Sequence, residues 1–289
     1  MRPCRPSAPR PSPLDIFISP TSYRQPVDPL TFALLAFLLF GVSFIYSNLG
    51  LGGGLLYVPI LLSIVTPEKL IAVPLSLTFT TATGLASFLN HYRRKLVDVR
   101  LASILIIGAL AGTVFGVLFN IESTKEQFII FFVAILCIFG AQMIANLYRS
   151  PHLIDNDDAS KMTKARLGTA TTGEVGAGFL SGALGIGGGL VNVPIIVSIL
   201  GRATRKAIGT SALMIIPTSL LSLSIYTVIE PADYSLFWIV PVLAPLVFIG
   251  AFVGSRWGLA RLKTRTVSLI FILMLFVAAS KLIWDVLPH

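Results

Sequence analysis

The sequence predicts an all-α polytopic membrane protein made of two inverted repeats, each of about five helical segments. The 289-residue chain is 55% hydrophobic and only 12% charged, and soluble domains carry about twice that charged fraction. Several apolar runs approach or exceed the roughly 20 residues that a membrane-spanning helix needs. A glycine-rich break in an apolar region occurs at Gly50 and again at Gly185, an offset of 135 residues. This repetition predicts two related halves.

The apolar segments divide the chain into four parts. Residues 1–29, rich in proline and arginine, are predicted to form a disordered tail. A first membrane repeat is predicted over 30–148, a cytoplasmic linker over 149–166 and a second membrane repeat over 167–289. The segments themselves lie at about 30–48, 55–65, 69–90, 99–119 and 126–148, then at about 168–184, 190–200, 204–228, 236–256 and 266–287. The long ones must be helices, because a bilayer offers the backbone no other partner.

The second segment of each repeat is too short to cross a membrane. It has about 11 residues, which at 1.5 Å per residue cover roughly half of the hydrocarbon core. Each is therefore predicted to be a short helix after the glycine-rich break, in a hairpin that enters the membrane, turns at the glycines and returns.

The distribution of charge predicts the topology. The net charge is +9, and the basic residues lie mostly in short loops, which the positive-inside rule explains without a nucleic-acid partner. Loops 91–95 and 256–265 are predicted to be cytoplasmic, whereas loops 121–127 and 230–234 are predicted to be external. The loop after the third segment then changes side between the repeats, so they are inverted. A parallel arrangement of four plus four full crossings is the alternative, and the arginine-rich tail does not fit the inversion.

The glycine motifs predict an anion site. Glycine allows positive φ and lets a ligand approach the backbone closely. The motifs 50–54 and 185–189 each precede a short helix, whose first N–H groups lack intrahelical partners and whose dipole adds partial positive charge. An anion at that point receives several donors. In inverted repeats the two turns can meet near the midplane and share one small anion. Close helix packing is the alternative role for these glycines.

Candidate substrate-binding residues are the motif glycines and nearby polar side chains, namely Asn48, Gly52, Gly53, Gly54, Ser76, Gly187, Gly188, Gly189, Asn192 and Ser211. Ser76 and Ser211 are equivalent positions in hydroxyl-rich third segments, where about half of the hydroxyls are expected to bond their own helix backbone. Each of Asn48 and Asn192 is predicted either to donate to the ligand or to cap a broken helix. Glu174 is the candidate for coupling to an ion, H⁺ or Na⁺, unless it merely lies at the membrane interface.

Other classes of site are not predicted. The glycine motif lacks the last glycine of a dinucleotide fingerprint and the Lys-Ser or Lys-Thr of a nucleotide loop. Four glycines of the sixth segment are expected to serve helix packing, namely Gly173, Gly176, Gly178 and Gly182. An intramembrane enzyme needs histidine or acid at depth. The histidines, His91, His152 and His289, are placed in loops or at the end of the chain, so no catalytic residue, metal site or cofactor is predicted.

The repeated motif resembles that of the TauE/SafE-like sulfite exporter family of membrane proteins. The likeness rests on Gly-x-Gly-Gly-Gly-Leu-x-x-Val-Pro in both halves and on 206–211 (Lys-Ala-Ile-Gly-Thr-Ser) in the second, and it extends over about 30–287. The positions carried over are Gly52, Gly53, Gly54, Pro59, Gly187, Gly188, Gly189, Pro194 and Ser211. The residues of the first half that are equivalent to Gly-Thr-Ser at 209–211 are Pro-Leu-Ser at 74–76, so only the serine is the same in both halves.

The resemblance implies transport of sulfite, sulfonates or related anions, usually as export. Together with the glycine motifs it predicts a secondary transporter in the cell membrane, an exporter of a small sulfur-containing anion working by alternating access. Its partners are then the anion, the lipid bilayer and a coupling ion. An anion channel and a transporter of an unrelated small solute are the alternatives.

The inverted topology predicts that loops 91–97 and 229–234 face opposite sides of the membrane. Single cysteines introduced into each loop, in a background without Cys4 and Cys137, should react with a membrane-impermeant thiol reagent from opposite sides. Labelling of both loops from the same side would instead support the parallel arrangement.

Overall fold

A computed structural model describes residues 28–148, 157, 163–229 and 234–261. The predicted tail, most of the predicted linker, most of the loop before the ninth segment and the tenth segment at 266–287 lie outside the described residues. The predicted boundaries of the tail and of the linker therefore stay predictions.

The described part of the chain is helical, with short connecting loops. The first repeat contains α1 (Pro29–Tyr46), α2 (Gly54–Ile64), α3 (Lys69–Arg93), α4 (Val99–Glu122) and α5 (Lys125–Tyr148). The second contains α6 (Lys164–Leu184), α7 (Gly189–Ile199), α8 (Thr204–Ile229) and α9 (Val240–Arg261). The second half of α7, Ile195–Ile199, is wound as a π-helix, and a 3₁₀ turn over Tyr234–Ile239 leads into α9. These helices match the predicted segments to within a few residues.

Six helices of the described ranges are long and apolar enough to cross a membrane. They are α1, α3, α4, α5, α8 and the stretch Leu236–Trp257. The helix α6 is less apolar because its 21 residues include five glycines and Glu174. The prediction of an all-α multi-pass membrane protein is therefore confirmed, while the opposite orientation of the repeats stays a prediction.

The two repeats pack against each other through equivalent helices. The central helices α3 and α8 pack against each other. Helix α1 packs on α9, and α6, the equivalent of α1 in the second repeat, packs on α4, the equivalent of α9. The pairs of α3 with α9 and of α8 with α4 are equivalent in the same way. Each type of contact between the repeats therefore occurs twice, through equivalent helices. Each repeat thus completes the packing of the other.

Glycines at every fourth position bring α4 and α6 into backbone contact. A Cβ atom added to Gly108, Gly112 or Gly116 would overlap a backbone carbonyl oxygen of α6. Helices in lipid associate through close van der Waals packing, which small residues permit. These three glycines of α4 were not singled out from the sequence.

The expectation for the four glycines of α6 is half right. Gly178 and Gly182 face backbone atoms of α4 at distances that a Cβ would not fit. Gly176 has open space beside it, and Gly173 meets only the flexible end of the Ile195 side chain. Only the first two therefore serve close helix packing.

Replacing Gly112 with alanine should destabilise the protein, because the new methyl group would collide with the carbonyl oxygen of Val175. Overpacking of this kind costs about 1–3 kcal/mol. The check is the thermal unfolding midpoint of the purified protein in detergent, with Gly176→Ala as the control that has open space. Equal midpoints for Gly112→Ala and the parent would show that the α4–α6 contact adjusts freely.

Candidate functional site

Two buried glycine loops repeat the same backbone conformation. The first glycine loop, 50–53, links α1 to α2, and the second glycine loop, 185–188, links α6 to α7. Positive φ values, from 66° to 90°, occur at equivalent positions, namely Gly50, Gly52 and Gly53 in the first loop and Gly185, Gly187 and Gly188 in the second. Side chains other than glycine are strained in this region, β-branched ones most of all.

The two loops touch each other through their backbones. A Cβ atom added to Gly54 would overlap the carbonyl oxygen of Gly185, and one added to Gly189 would overlap that of Gly50. These two contacts are equivalent under the 135-residue offset. The loops therefore meet, as the sequence predicts for the turns of two opposed hairpins.

Two equivalent serines hold the loops across the repeat boundary. The hydroxyl of Ser76 donates to the carbonyl oxygen of Gly185 over 3.1 Å, and that of Ser211 donates to the carbonyl oxygen of Gly50 over 2.8 Å. In this conformation each hydroxyl proton is thus directed to the opposite loop. The geometry makes both serines positioning residues, and their direct bonding to an anion stays a prediction.

The first N–H groups of α2 and α7 have no acceptor among the residues that the structure describes. They belong to Gly53, Gly54 and Leu55 in the first repeat and to Gly188, Gly189 and Leu190 in the second. All six residues are buried. Buried backbone donors without partners are rare, and each costs free energy comparable to a lost hydrogen bond. Two sets of donors at adjoining helix N-termini are the arrangement that an anion would satisfy.

Thr80 and Ser219 carry unpaired hydroxyls beside the loops. The Thr80 methyl group packs against both Gly52 and Gly187, and the Ser219 hydroxyl also lies near Gly187. Both hydroxyl oxygens are buried with no hydrogen-bond partner in the described structure. The sequence analysis favoured hydroxyls that recur in both repeats and so passed over these two. The position equivalent to Thr80 holds Ile215, which packs against the same two glycines.

Most other hydroxyls of α3 and α8 bond their own helix, as expected. Those that donate to a carbonyl oxygen three or four residues earlier are Thr78, Thr81, Thr83, Thr218, Ser222, Ser224 and Thr227. Their protons are therefore already used within the helix.

Different side chains support the two loops at one equivalent position. In the first repeat the ring of Tyr57 lies against Gly53, and its hydroxyl is 2.8 Å from the Thr83 hydroxyl. In the second repeat Asn192 takes that place. With its amide turned so that the nitrogen faces both oxygens, it donates to Gly188 over 2.6 Å and to Glu174 over 2.9 Å. The repeated frame thus carries different polar chemistry on its two sides.

Asn48 lies at the end of α1, just before the first glycine loop. Its Nδ2 donates to the carbonyl oxygen of Phe44 over 2.9 Å, which satisfies one of the last carbonyls of the helix. Its Oδ1 is buried without a partner. The capping role is therefore present, and a ligand-binding role for Asn48 stays a prediction.

Glu174 and His91 are both buried in helices. Glu174 has no solvent exposure, and both its coupling role and the alternative of an interfacial position stay predictions. The expectation that His91 is a solvated loop residue is wrong. It belongs to the last turn of α3, its Nδ1 lies 2.8 Å from the carbonyl oxygen of Ser87, and Gly209 of α8 packs against its Cβ.

Polar contacts tie the helices together at both ends. At the end predicted to be cytoplasmic, Arg202 pairs with Asp98 at 2.6 Å and, together with Lys206, with Asp157. Burial would raise the pKa of the Asp157 carboxyl, but the Ala203 N–H and the two cations hold that pKa below its usual value.

At the opposite end, the ammonium group of Lys69 donates to the carbonyl oxygens of Asn120 and Ser123 at the end of α4. Asn120 in turn donates to the carbonyl oxygen of Ala183 on α6. The glycine loops themselves are buried among the described residues.

The chain matches the family model described as Sulfite exporter TauE/SafE over residues 34–282. It is 28% identical over 279 residues to the "Probable membrane transporter protein YunE" of Bacillus subtilis (strain 168), which covers 89% of this chain and 98% of that protein. It is 26% identical over 175 residues to a "Probable membrane transporter protein" of Xylella fastidiosa (strain 9a5c), covering 60% and 66%. No solved structure matches the chain. The extent of the family match, and the multi-pass fold that carries it, show that this chain is a membrane transporter belonging to the TauE/SafE sulfite exporter family.

Proposed function

We propose that this transporter exports a small sulfur-containing anion, such as sulfite or an organosulfonate, by alternating access. The anion binds where the two glycine loops meet. The family and the names of the relatives establish membrane transport, and the substrate, the direction and the mechanism are the proposal.

The unpaired N–H groups of the two loops are the observation on which the proposal rests. A desolvated anion inside a membrane protein costs several kcal/mol unless it is well paired. One helix N-terminus contributes up to about 2 kcal/mol in favourable geometry, which does not offset that cost. Two adjoining N-termini, with the hydroxyls of Thr80 and Ser219 beside them, can offset it. The loops therefore act jointly, and the Ser76 and Ser211 bonds keep them in contact.

The type of donor favours an oxyanion with several equivalent oxygens. The candidate donors around the loops are backbone N–H, hydroxyl and side-chain amide groups, without a lysine or arginine among the described residues of the site. Neutral donors arranged in two sets suit an anion that accepts several hydrogen bonds at once. A sulfite or sulfonate group, with three oxygens, meets this requirement, and the family description names sulfite.

Alternating access is supported by the contacts at the two ends. The site is buried, so an anion can leave only when contacts at one end separate. The Arg202–Asp98 pair and the Lys69–Asn120 contact lie at opposite ends of α4, where they can open in turn. A channel would instead need one continuous pore, and its flux would not saturate at low turnover.

Proteoliposome uptake of labelled sulfite, thiosulfate, taurine and sulfoacetate tests the function. The proposal predicts saturable flux of at least one of these compounds, of which taurine is a zwitterion that carries an anionic sulfonate group. Gly53→Val and Gly188→Val should each abolish binding, because a β-branched residue is strained at positive φ and would block the backbone donors. The control is Gly176→Val in the open space beside α6. An absence of saturable flux for every anion would contradict the function. Parent-like binding by both loop variants would make the glycines packing residues.

Thr80→Val should weaken binding of the transported anion, because it removes an unpaired hydroxyl while keeping the shape of the side chain. A lost hydrogen bond to a charged group costs about 1.5–3 kcal/mol, which corresponds to roughly 10-fold to 150-fold in Kd. The matched control is Thr81→Val, whose hydroxyl donates to the Leu77 carbonyl in its own helix. Affinity can be measured by calorimetry on monodisperse protein. An unchanged Kd for Thr80→Val would remove this hydroxyl from the site.

A further inference from the structure

Glu174 is the acidic side chain that the described structure buries completely. Its Oε2 accepts one hydrogen bond from the Asn192 amide, in the orientation given above, and its Oε1 has no partner in the described structure. Proposed anion binding does not require such a group. A buried carboxyl with a single amide partner is a costly feature to keep unless it has a role.

No cation faces this carboxyl within the described structure. The helices that pack on α6 carry their charges near the ends, at Asp98, Arg100, Glu122, Lys125, Glu126, Arg205 and Lys206. The helices α2 and α7 carry none, and Lys164 and Arg166 of α6 are exposed at least about 12 Å away along the helix axis. The titratable side chain of α8 that reaches α6 is Tyr226, whose hydroxyl donates to the carbonyl oxygen of Gly182. An ionised Glu174 would therefore be an unpaired buried charge, whereas the protonated acid is neutral.

The link to the second glycine loop is direct. Asn192 joins the Glu174 carboxyl to the carbonyl oxygen of Gly188, and Gly188 is the N-cap residue directly before α7. A negative charge on Glu174 would therefore lie two hydrogen bonds from the place proposed for the anion. Two like charges so close in a low-dielectric interior repel each other strongly.

We propose that Glu174 takes up and releases the proton that crosses the membrane with the anion. The inference rests on the proposed function. With Glu174 protonated, the second loop accepts the anion. When the site opens, the carboxyl O–H bond breaks, the proton passes to water on the open side, and the carboxylate that remains repels the anion from the loop. No other bond changes, and the anion and the proton leave together.

Sodium fits the same position less well. A sodium ion would need several oxygen ligands around it. Here one carboxyl oxygen already accepts a bond from the Asn192 nitrogen, and the other has no partner. A proton needs only the carboxyl itself.

The test separates exchange from net transport in proteoliposomes. The probes are thiosulfate and sulfoacetate, because neither changes its charge near neutral pH. A pH gradient should drive accumulation of the probe by the parent, and a pH-sensitive dye should report proton movement with it. Glu174→Gln should lose that accumulation and its pH dependence but keep exchange of labelled for unlabelled anion, which needs no net proton movement. The matched control is Glu122→Gln, an exposed glutamate at the end of α4.

A measurement on the parent alone covers the case in which Glu174→Gln does not fold. Adding probe to purified protein in weakly buffered detergent should cause proton uptake. In the pH range where Glu174 titrates, the affinity for the probe should fall by up to about tenfold for each unit by which the pH rises. Anion transport that ignores the pH gradient would overturn this inference and leave the function intact, as would coupling to sodium. Transport of none of the four anions would overturn the function, and this inference with it.

Discussion

The backbone contact between the two glycine loops is the constraint on which the rest of the structure depends. Gly54 lies against the carbonyl of Gly185, and Gly189 lies against that of Gly50, at distances that exclude any side chain. Once the loops meet in this way, α2 and α7 must begin at the centre of the protein. Their first N–H groups are then buried, and no other part of the described backbone satisfies them. The contact thus creates the strain of the loops and the buried donors on which the proposed anion binding rests.

The surrounding helices keep this contact in place by crossing between the repeats. Ser76 and Ser211 each bond the opposite loop, and the α4–α6 and α1–α9 pairs hold the two repeats together. The symmetric frame holds asymmetric chemistry, since Tyr57 supports one loop while Asn192 and Glu174 support the other. In the proposed mechanism the repeated frame would open toward either side, and the asymmetric side chains would give the site a place for a single proton.

The hydropathy pattern and the glycine repeat sufficed to predict the helices and the position of the loops. Long apolar runs in a bilayer must form helices, so the ends of these helices could be predicted to within a few residues. The packing partner of each helix could not be predicted, because no residue pattern specifies that α6 packs on α4. For the same reason the residue pattern does not indicate that Gly112 touches α6, or that His91 is covered by α8.

The candidate site residues likewise divide into those that could be identified from the sequence and those that only the structure reveals. The motif glycines were identified because they recur, and recurrence also marked Ser76 and Ser211. Thr80 and Ser219 were not singled out, because their equivalents are Ile215 and Gly84 and recurrence therefore did not mark them. Their importance follows from an unpaired buried hydroxyl, which only three-dimensional packing reveals.

Anomalous scattering from a bound selenium oxyanion tests the joint site most directly. Selenite has the shape and charge of sulfite, and its selenium atom can be located in crystals of the protein grown or soaked with it. The account predicts one selenium peak with its oxygens within hydrogen-bonding distance of the N–H groups at both Gly53–Leu55 and Gly188–Leu190. A peak that contacts only one loop, or that lies away from both, would contradict it.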